Sequence, residues 1–255
     1  MLLALPRLAG DSVLEITTPL ESRAYVELTR CIQAHYHVVS EWDEKGQSLL
    51  IRGGQRAVSP GTMHIGGDWS HAAFYLVAGA IGRGEIRLTG LDPQSAQGDR
   101  AVVEILRDMG ADIRWEGSAL VSRASRLHGL RVDCAQIPDL VPILAVAMAA
   151  AEGESRITGA ARLRIKESDR LSAMAAALAA AGADAAELPD GLAIRGGKPL
   201  HAAKIEGCND HRIVMAMTIA SALSDGEWTI TDAEATAKSA PAFWQEFERL
   251  GGRTR

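Results

Sequence analysis

The apolar and polar positions of this chain fall into a pattern that recurs about every 70 residues. Apolar, Ala- and Leu-rich segments at 2–8, 72–81, 140–151 and 213–223 are long enough to predict buried helices ended by glycine. After each comes a short run with a shared signature, Gly-acid-x-x-apolar-Thr. It is written Gly84-Glu85-Ile86-Arg87-Leu88-Thr89, Gly153-Glu154-Ser155-Arg156-Ile157-Thr158 and Gly226-Glu227-Trp228-Thr229-Ile230-Thr231, with a weaker copy from Gly10 to Glu15. These runs predict strands. A second helix is predicted over 25–34, 101–109, 171–181 and 243–250. The last three end at Gly110, Gly182 and Gly251; the first has no glycine. Turn-linked strand pairs then close at 49–54, 120–123 and 192–197. Each copy is therefore a small βαβαββ module and the fold class is α/β. The bland alternative, that any α/β protein shows helix-Gly-strand transitions, does not account for the repeated Gly-Glu-x-x-x-Thr strings.

Composition narrows the function classes. With 255 residues, 47% hydrophobic and 23% charged, the chain can bury a sizeable core. A net charge of −5 gives no broad nucleic-acid surface, so anion binding must come from local clusters. No apolar run approaches the roughly 20 residues of a membrane span. Cys31, Cys134 and Cys208 have no metal spacing and read as free thiols, so the chain is expected in the cytoplasm.

The densest chemistry lies in Arg162-Leu163-Arg164-Ile165-Lys166-Glu167-Ser168-Asp169-Arg170-Leu171, where a strand hands over to a helix. Clustered cations at a helix start suit a phosphate or carboxylate, and an adjacent acid can move a proton to what they hold. A solvated ion-pair cluster is the alternative. Asp139, in Ile137-Pro138-Asp139-Leu140, precedes a buried helix and reads either as an N-cap or as a site acid. Asn209-Asp210-His211-Arg212 opens another buried helix: Asp210 fits a cap, His211 and Arg212 an anion site. Lys238 sits in a loop before the last helix. The repeat register puts Asp68, Asp139 and Asp210 at one corner of successive modules, and Gln97-Gly98-Asp99, Arg170 and Lys238 near another. Equivalent corners facing one side would gather one or two acids among several cations, an inventory for a substrate with two or more anionic groups.

At these motifs the chain resembles the 5-enolpyruvylshikimate-3-phosphate (EPSP) synthase family, the enolpyruvyl transferases of the shikimate pathway. The matching strings are Gly67-Asp68 with Ser70 and Ala72, Ser95-Ala96-Gln97-Gly98-Asp99, Ile137-Pro138-Asp139-Leu140, Arg164 to Leu171, Asn209-Asp210-His211-Arg212, and Lys238-Ser239 with Pro241 and Phe243. The resemblance implies an inverse α/β barrel of repeated modules in two domains with the site between them. Residues 1–65 would be a remnant of the first domain and 66–255 a nearly complete second one of three modules. It implies transfer of the enolpyruvyl group of phosphoenolpyruvate to the 5-hydroxyl of shikimate 3-phosphate, without cofactor or metal. Asp139 would accept the hydroxyl proton, Glu167 would protonate the methylene carbon, and Lys238 would complete the catalytic set. Ser22, Tyr25, Asp139 and Lys166 would bind shikimate 3-phosphate; Arg170, His211, Arg212 and Lys238 would bind phosphoenolpyruvate.

The chain departs from the family pattern in three ways. Arg162 stands where some members have Asn, and Arg23-Ala24 replaces the Lys-Pro of the family's Ser-Lys-Pro-Tyr segment. The family's N-terminal portion, with a Lys, several Arg and a Ser-Ser-Gln stretch, has no counterpart here. The chain is accordingly expected to hold roughly the C-terminal half or more of the enzyme and to turn over little by itself. That portion, as a separate chain, is a candidate partner. Two other readings stand beside this one. The first is a non-catalytic relict of the same fold. The second is a UDP-N-acetylglucosamine enolpyruvyl transferase, against which no cysteine here sits in a reactive-loop context.

Overall fold

A computed structural model describes residues 1–255, which form two compact units. The first comprises Met1–Gly66 and Gln94–Gly98, the second Gly67–Pro93 and Asp99–Arg255. In the first unit, β1 (Ser12–Glu15), α1 (Arg23–His35), β2 (Glu41–Trp42) and β3 (Ser48–Ile51) make a three-stranded antiparallel sheet, ordered β1-β3-β2, and one helix. The helix expected over 2–8 is only a 3-10 turn, Leu5–Arg7. Pro6 lies in the middle of that short segment, lacks an N–H and clashes with the preceding turn of an α-helix.

The second unit repeats one plan. Its elements are α2 (Trp69–Ile81), β4 (Glu85–Leu88), α3 (Val102–Asp108), β5 (Asp112–Glu116), β6 (Ala119–Arg123), β7 (Arg131–Asp133), α4 (Val141–Ala150), β8 (Gly153–Thr158), α5 (Arg170–Ala180), β9 (Asp184–Leu188), β10 (Gly191–Gly196), β11 (Lys204–Ile205), α6 (His211–Ala220), β12 (Thr229–Ile230) and α7 (Phe243–Arg249). The run β7-α4-β8-α5-β9-β10 is a full βαβαββ module, its strands ordered β7-β8-β10-β9. There β7 and β8 are parallel, and β10 lies antiparallel to both neighbours. The sheets β4-β6-β5 and β1-β3-β2 repeat the antiparallel part, while β11 and β12 repeat the parallel pair. β12 is shorter than the strand expected from the Gly226 signature. It pairs only with β11, and no closing strand extends it.

The three first helices explain why the plan holds together. α2, α4 and α6 pack against one another, and α4 is buried along almost its whole length. A helix apolar on all sides has no solvent face and must be enclosed. They form one continuous core, with residues such as Trp69, Leu76, Leu144, Met148, Ile213 and Met217 almost fully buried. Asp68, Asp139, Asp210, His211 and Arg212 stand at or just before the N-termini of these central helices, while Lys166, Glu167 and Arg170 stand at the start of α5.

The second helices close as predicted. α3, α5 and α7 are each followed, after one cap residue, by a left-handed glycine: Gly110 at φ 96°, Gly182 at φ 89° and Gly251 at φ 99°. α1, without a glycine, puts His37 in the same place at φ 59°. The position thus demands a left-handed backbone in every copy, and glycine meets the demand at least steric cost.

Candidate active site

The equally spaced acids Asp68, Asp139 and Asp210 do not all do the same thing. Asp68 caps α2, accepting from the N–H groups of Ser70 at 2.8 Å and His71 at 3.3 Å. Asp210 caps α6 through the N–H of Arg212 at 2.9 Å. Asp139 is not a cap, although a cap was one of its two expected roles. It lies in a 3-10 turn, Pro138–Leu140, where the N–H of Val141 is already bonded to Pro138 O. The next potential donor, Pro142, has no N–H. That proline releases the Asp139 carboxylate from the helix end and leaves it to side-chain partners.

Those partners are cations. Arg170 Nη1 reaches Asp139 Oδ1 at 3.1 Å, Lys166 Nζ lies 3.7 Å from the same oxygen, and Arg212 Nη2 lies 3.4 Å from Oδ2. Arg212 Nη1 also donates to the Asp139 backbone carbonyl at 3.0 Å. The side chain of Arg170 is 1% exposed and stands at the centre of the group. Its Nε and Nη2 donate to the two oxygens of Asp210 at 2.8 and 3.3 Å, and Nη2 also donates to Glu167 Oε2 at 2.6 Å. Asp210 is fully buried and takes a further bond from Ser168 Oγ at 2.9 Å. Burial alone would raise its pKa, but bonding to Arg170 and the charge of that guanidinium outweigh burial, and the carboxyl is held below its usual value.

Two other members of the ten-residue motif have structural duties. Asp169 caps α5 through the N–H of Ser172 at 3.1 Å. Arg164 bonds Asp169 at 3.0 Å and Glu187 of β9 at 2.6 Å, and so ties the motif to its sheet. Lys166 and Arg170 are left to face Asp139 of their own module, and Arg170 also reaches Asp210 of the next.

His211, the first residue of α6, is buried, and its Nδ1 has no hydrogen-bond partner. The nearest carboxylate oxygens, on Glu167 and Asp210, are 3.9 Å away. Burial, seconded by the adjacent Arg212 charge, lowers its pKa, so the neutral imidazole is the folded form near neutrality. The unfolded chain binds the proton near pH 6.5, whereas the folded protein does so only at lower pH. The stability that depends on a neutral His211 is therefore complete above pH 6.5 and is lost as pH falls from there through the depressed folded value. Thermal unfolding followed from pH 7.5 to 5 should show a decline that is shallower in His211→Asn; parallel pH profiles would contradict this assignment.

Lys238 ends a 3-10 turn, Ala233–Lys238, and its ammonium bonds the backbone O of Asn209 and, at 3.0 Å, Asn209 Oδ1. Both acceptors are neutral, so Lys238 differs from Lys166, Arg170 and Arg212 in having no carboxylate beside its charge. The structure therefore brings together Asp139, Lys166, Glu167, Arg170, His211 and Arg212, and links Lys238 to them through Asn209, the neighbour of Asp210. Ser22 and Tyr25 belong to the first unit: Ser22 precedes α1 with a left-handed backbone at φ 53°, and Tyr25 is exposed.

A pair near the site was legible in the sequence only as a corner of the first module. Asp99 is 3% exposed and accepts from Ser70 Oγ, while its Oδ1 has no partner. Burial raises its pKa against the lowering effects of the Ser70 bond and the Arg212 charge. Asp210 likewise proved more than a cap, since it anchors Arg170 from 40 residues away. The only sequence signal for that is the equal spacing of the three acids.

Cations and two differently held acids are thus gathered at helix starts of a repeated α/β fold. The model of the EPSP synthase (3-phosphoshikimate 1-carboxyvinyltransferase) family matches residues 1–247, and the chain belongs to that family. It is 42% identical over 252 residues to the 3-phosphoshikimate 1-carboxyvinyltransferase of Clostridium novyi (strain NT), and 43% identical over 253 residues to that of Clostridium acetobutylicum. These alignments cover 99% of this chain but 57% and 58% of the relatives, so the chain spans under two thirds of their length. Among solved structures, EPSP synthase from Acinetobacter baumannii superposes with a TM-score of 0.78 at 30% identity, over 94% of this chain and 56% of that one. The enolpyruvyl transferase NikO from Streptomyces tendae shares the fold at a TM-score of 0.78 and 19% identity.

Proposed function

We propose that this chain supplies one part of an enolpyruvyl-transfer site for phosphoenolpyruvate and shikimate 3-phosphate, and that it turns over little by itself. The carrying observation is the convergence of Lys166, Arg170, Arg212 and Lys238 on one corner with Asp139 and Glu167, two carboxylates in unequal surroundings. Arg212 and Lys238 hold the carboxylate and phosphate of phosphoenolpyruvate. Arg170 reaches the same anions once its neighbouring acids shift, and His211 lies beside them. Lys166 takes shikimate 3-phosphate, to which Ser22 and Tyr25 are assigned by motif. In this reading residues 66–255 work as one domain of three modules, and residues 1–65 belong with another.

The chemistry balances without a cofactor. Asp139 accepts the proton of the 5-hydroxyl as its oxygen bonds C2 of phosphoenolpyruvate. Glu167 gives a proton to the methylene carbon, which becomes a methyl group, and a tetrahedral intermediate forms. Loss of a methyl proton back to Glu167 and cleavage of the C2–O bond to phosphate, which takes the proton held by Asp139, restore the enol ether and release phosphate. Substrate anions draw Lys166 and Arg212 away from Asp139, which frees its oxygens for the proton. Glu167, on the more open side of Arg170, is placed to give and retake a proton.

Calorimetric titration with shikimate 3-phosphate tests this reading. Wild-type chain is expected to bind, and Lys166→Ala to bind at least about tenfold more weakly, the scale of a lost charge-assisted bond. Equal affinity in both proteins would remove Lys166 from the site and with it this assignment.

A further inference from the structure

Asn209 stands in an unusual backbone. It and Cys208 are consecutive left-handed residues, at φ 48° and 53°, and neither is glycine. Asparagine tolerates this region better than most residues. What the turn achieves is a staple. The Asn209 N–H donates to Asp232 Oδ2 at 2.9 Å, just before the 3-10 turn Ala233–Lys238 begins. The Asn209 carbonyl and side-chain oxygens accept from Lys238, where that turn ends. The neighbouring Gly207 N–H donates to Thr231 Oγ1 at 3.0 Å, and Asp232 is itself left-handed at φ 56°. One residue thus fixes both ends of the segment that presents Lys238.

We propose that Asn209 is a positioning residue for Lys238, holding the ammonium with two neutral oxygens so that its charge stays uncompensated for an incoming anion. A carboxylate at this place would hold the amine as firmly but cancel the charge. Lys166, Arg170 and Arg212 already stand beside carboxylates and must exchange partners to bind a ligand; Lys238 need not. The proposal rests on the reading of Lys238 as an anion-holding cation.

Two variants and two readouts test it. Asn209→Gly keeps the left-handed turn and removes the side-chain oxygen; Asn209→Asp keeps an acceptor and adds a charge. The first readout is the acylation of Lys238 by an N-hydroxysuccinimide ester, measured by mass spectrometry relative to the exposed Lys45 and Lys204. Asn209→Gly is expected to raise the relative rate roughly two- to tenfold, the scale of one lost hydrogen bond. Asn209→Asp is expected to lower it below wild type, because a carboxylate favours the unreactive ammonium form. The second readout is the phosphoenolpyruvate dissociation constant, which should rise more in Asn209→Asp than in Asn209→Gly. Unchanged relative acylation in Asn209→Gly, or equal loss of affinity in both variants, would overturn the proposal. If the wild-type chain binds no phosphoenolpyruvate, the anion-holding reading of Lys238 fails, and acylation alone still decides whether Asn209 positions the amine.

Discussion

Replacing Arg170 with alanine is expected to remove about 3–5 kcal/mol of folding stability, the scale measured when one partner is taken from a buried ion pair. Against the roughly 5–15 kcal/mol that holds a typical domain together, this brings the chain close to unfolding at ambient temperature. The cause is specific. Asp210 has no exposed side-chain surface, and Arg170 reaches both of its oxygens; without the guanidinium, a buried carboxylate keeps only Ser168 and a helix N–H. Asp139 and Glu167 lose a shared cation as well. Arg170→Lys should recover only part of the loss, because one ammonium cannot reproduce a planar fork that spans three carboxylates. The double variant Arg170→Met with Asp210→Asn removes both buried charges and should be more stable than Arg170→Ala. Denaturant unfolding of the four proteins checks this order. If Arg170→Ala unfolds at the wild-type midpoint, the cluster is not the structural keystone described here.

The second large effect concerns binding. Arg212→Ala is expected to weaken phosphoenolpyruvate binding by roughly 30- to 1000-fold, corresponding to the 2–4 kcal/mol typical of losing one partner of a desolvated charge pair. Arg212 is largely buried at the first turn of α6, where backbone N–H groups also favour an anion. Its folded-state contacts are to one carboxylate edge and one carbonyl, so the stability loss should be well below that of Arg170→Ala. A calorimetric comparison at fixed ionic strength measures the ratio. An affinity within about threefold of wild type, the size of a screened surface contact, would place the anion elsewhere.

The same contrast shows what was legible in the sequence. Helices α2, α4 and α6 followed from uninterrupted apolar runs, and the ends of α3, α5 and α7 from glycines whose left-handed backbone the structure displays. The 2–8 segment failed because its apolar content concealed the effect of Pro6. The site motifs carried the right residue types at the right corners, but local sequence could not say which served as caps. Asp139 and Asp210 look alike in sequence; Pro142 separates them, and its effect appears only once the helix start is traced. Arg170 read as an anion holder, yet it is enclosed by acids contributed from three segments, a contact that no periodicity encodes. The role of Asn209 was invisible because it depends on two backbone angles and a lysine 29 residues away.

The central claim is that this corner moves protons during enolpyruvyl transfer, and phosphate release tests it most directly. The assay supplies phosphoenolpyruvate and shikimate 3-phosphate to the chain together with a polypeptide spanning the remaining length of a relative. Turnover is expected to fall at least about 100-fold in Glu167→Gln, the lower end of what general acid–base catalysis contributes, while phosphoenolpyruvate affinity stays near wild type. No turnover, or turnover unchanged by Glu167→Gln, would contradict it.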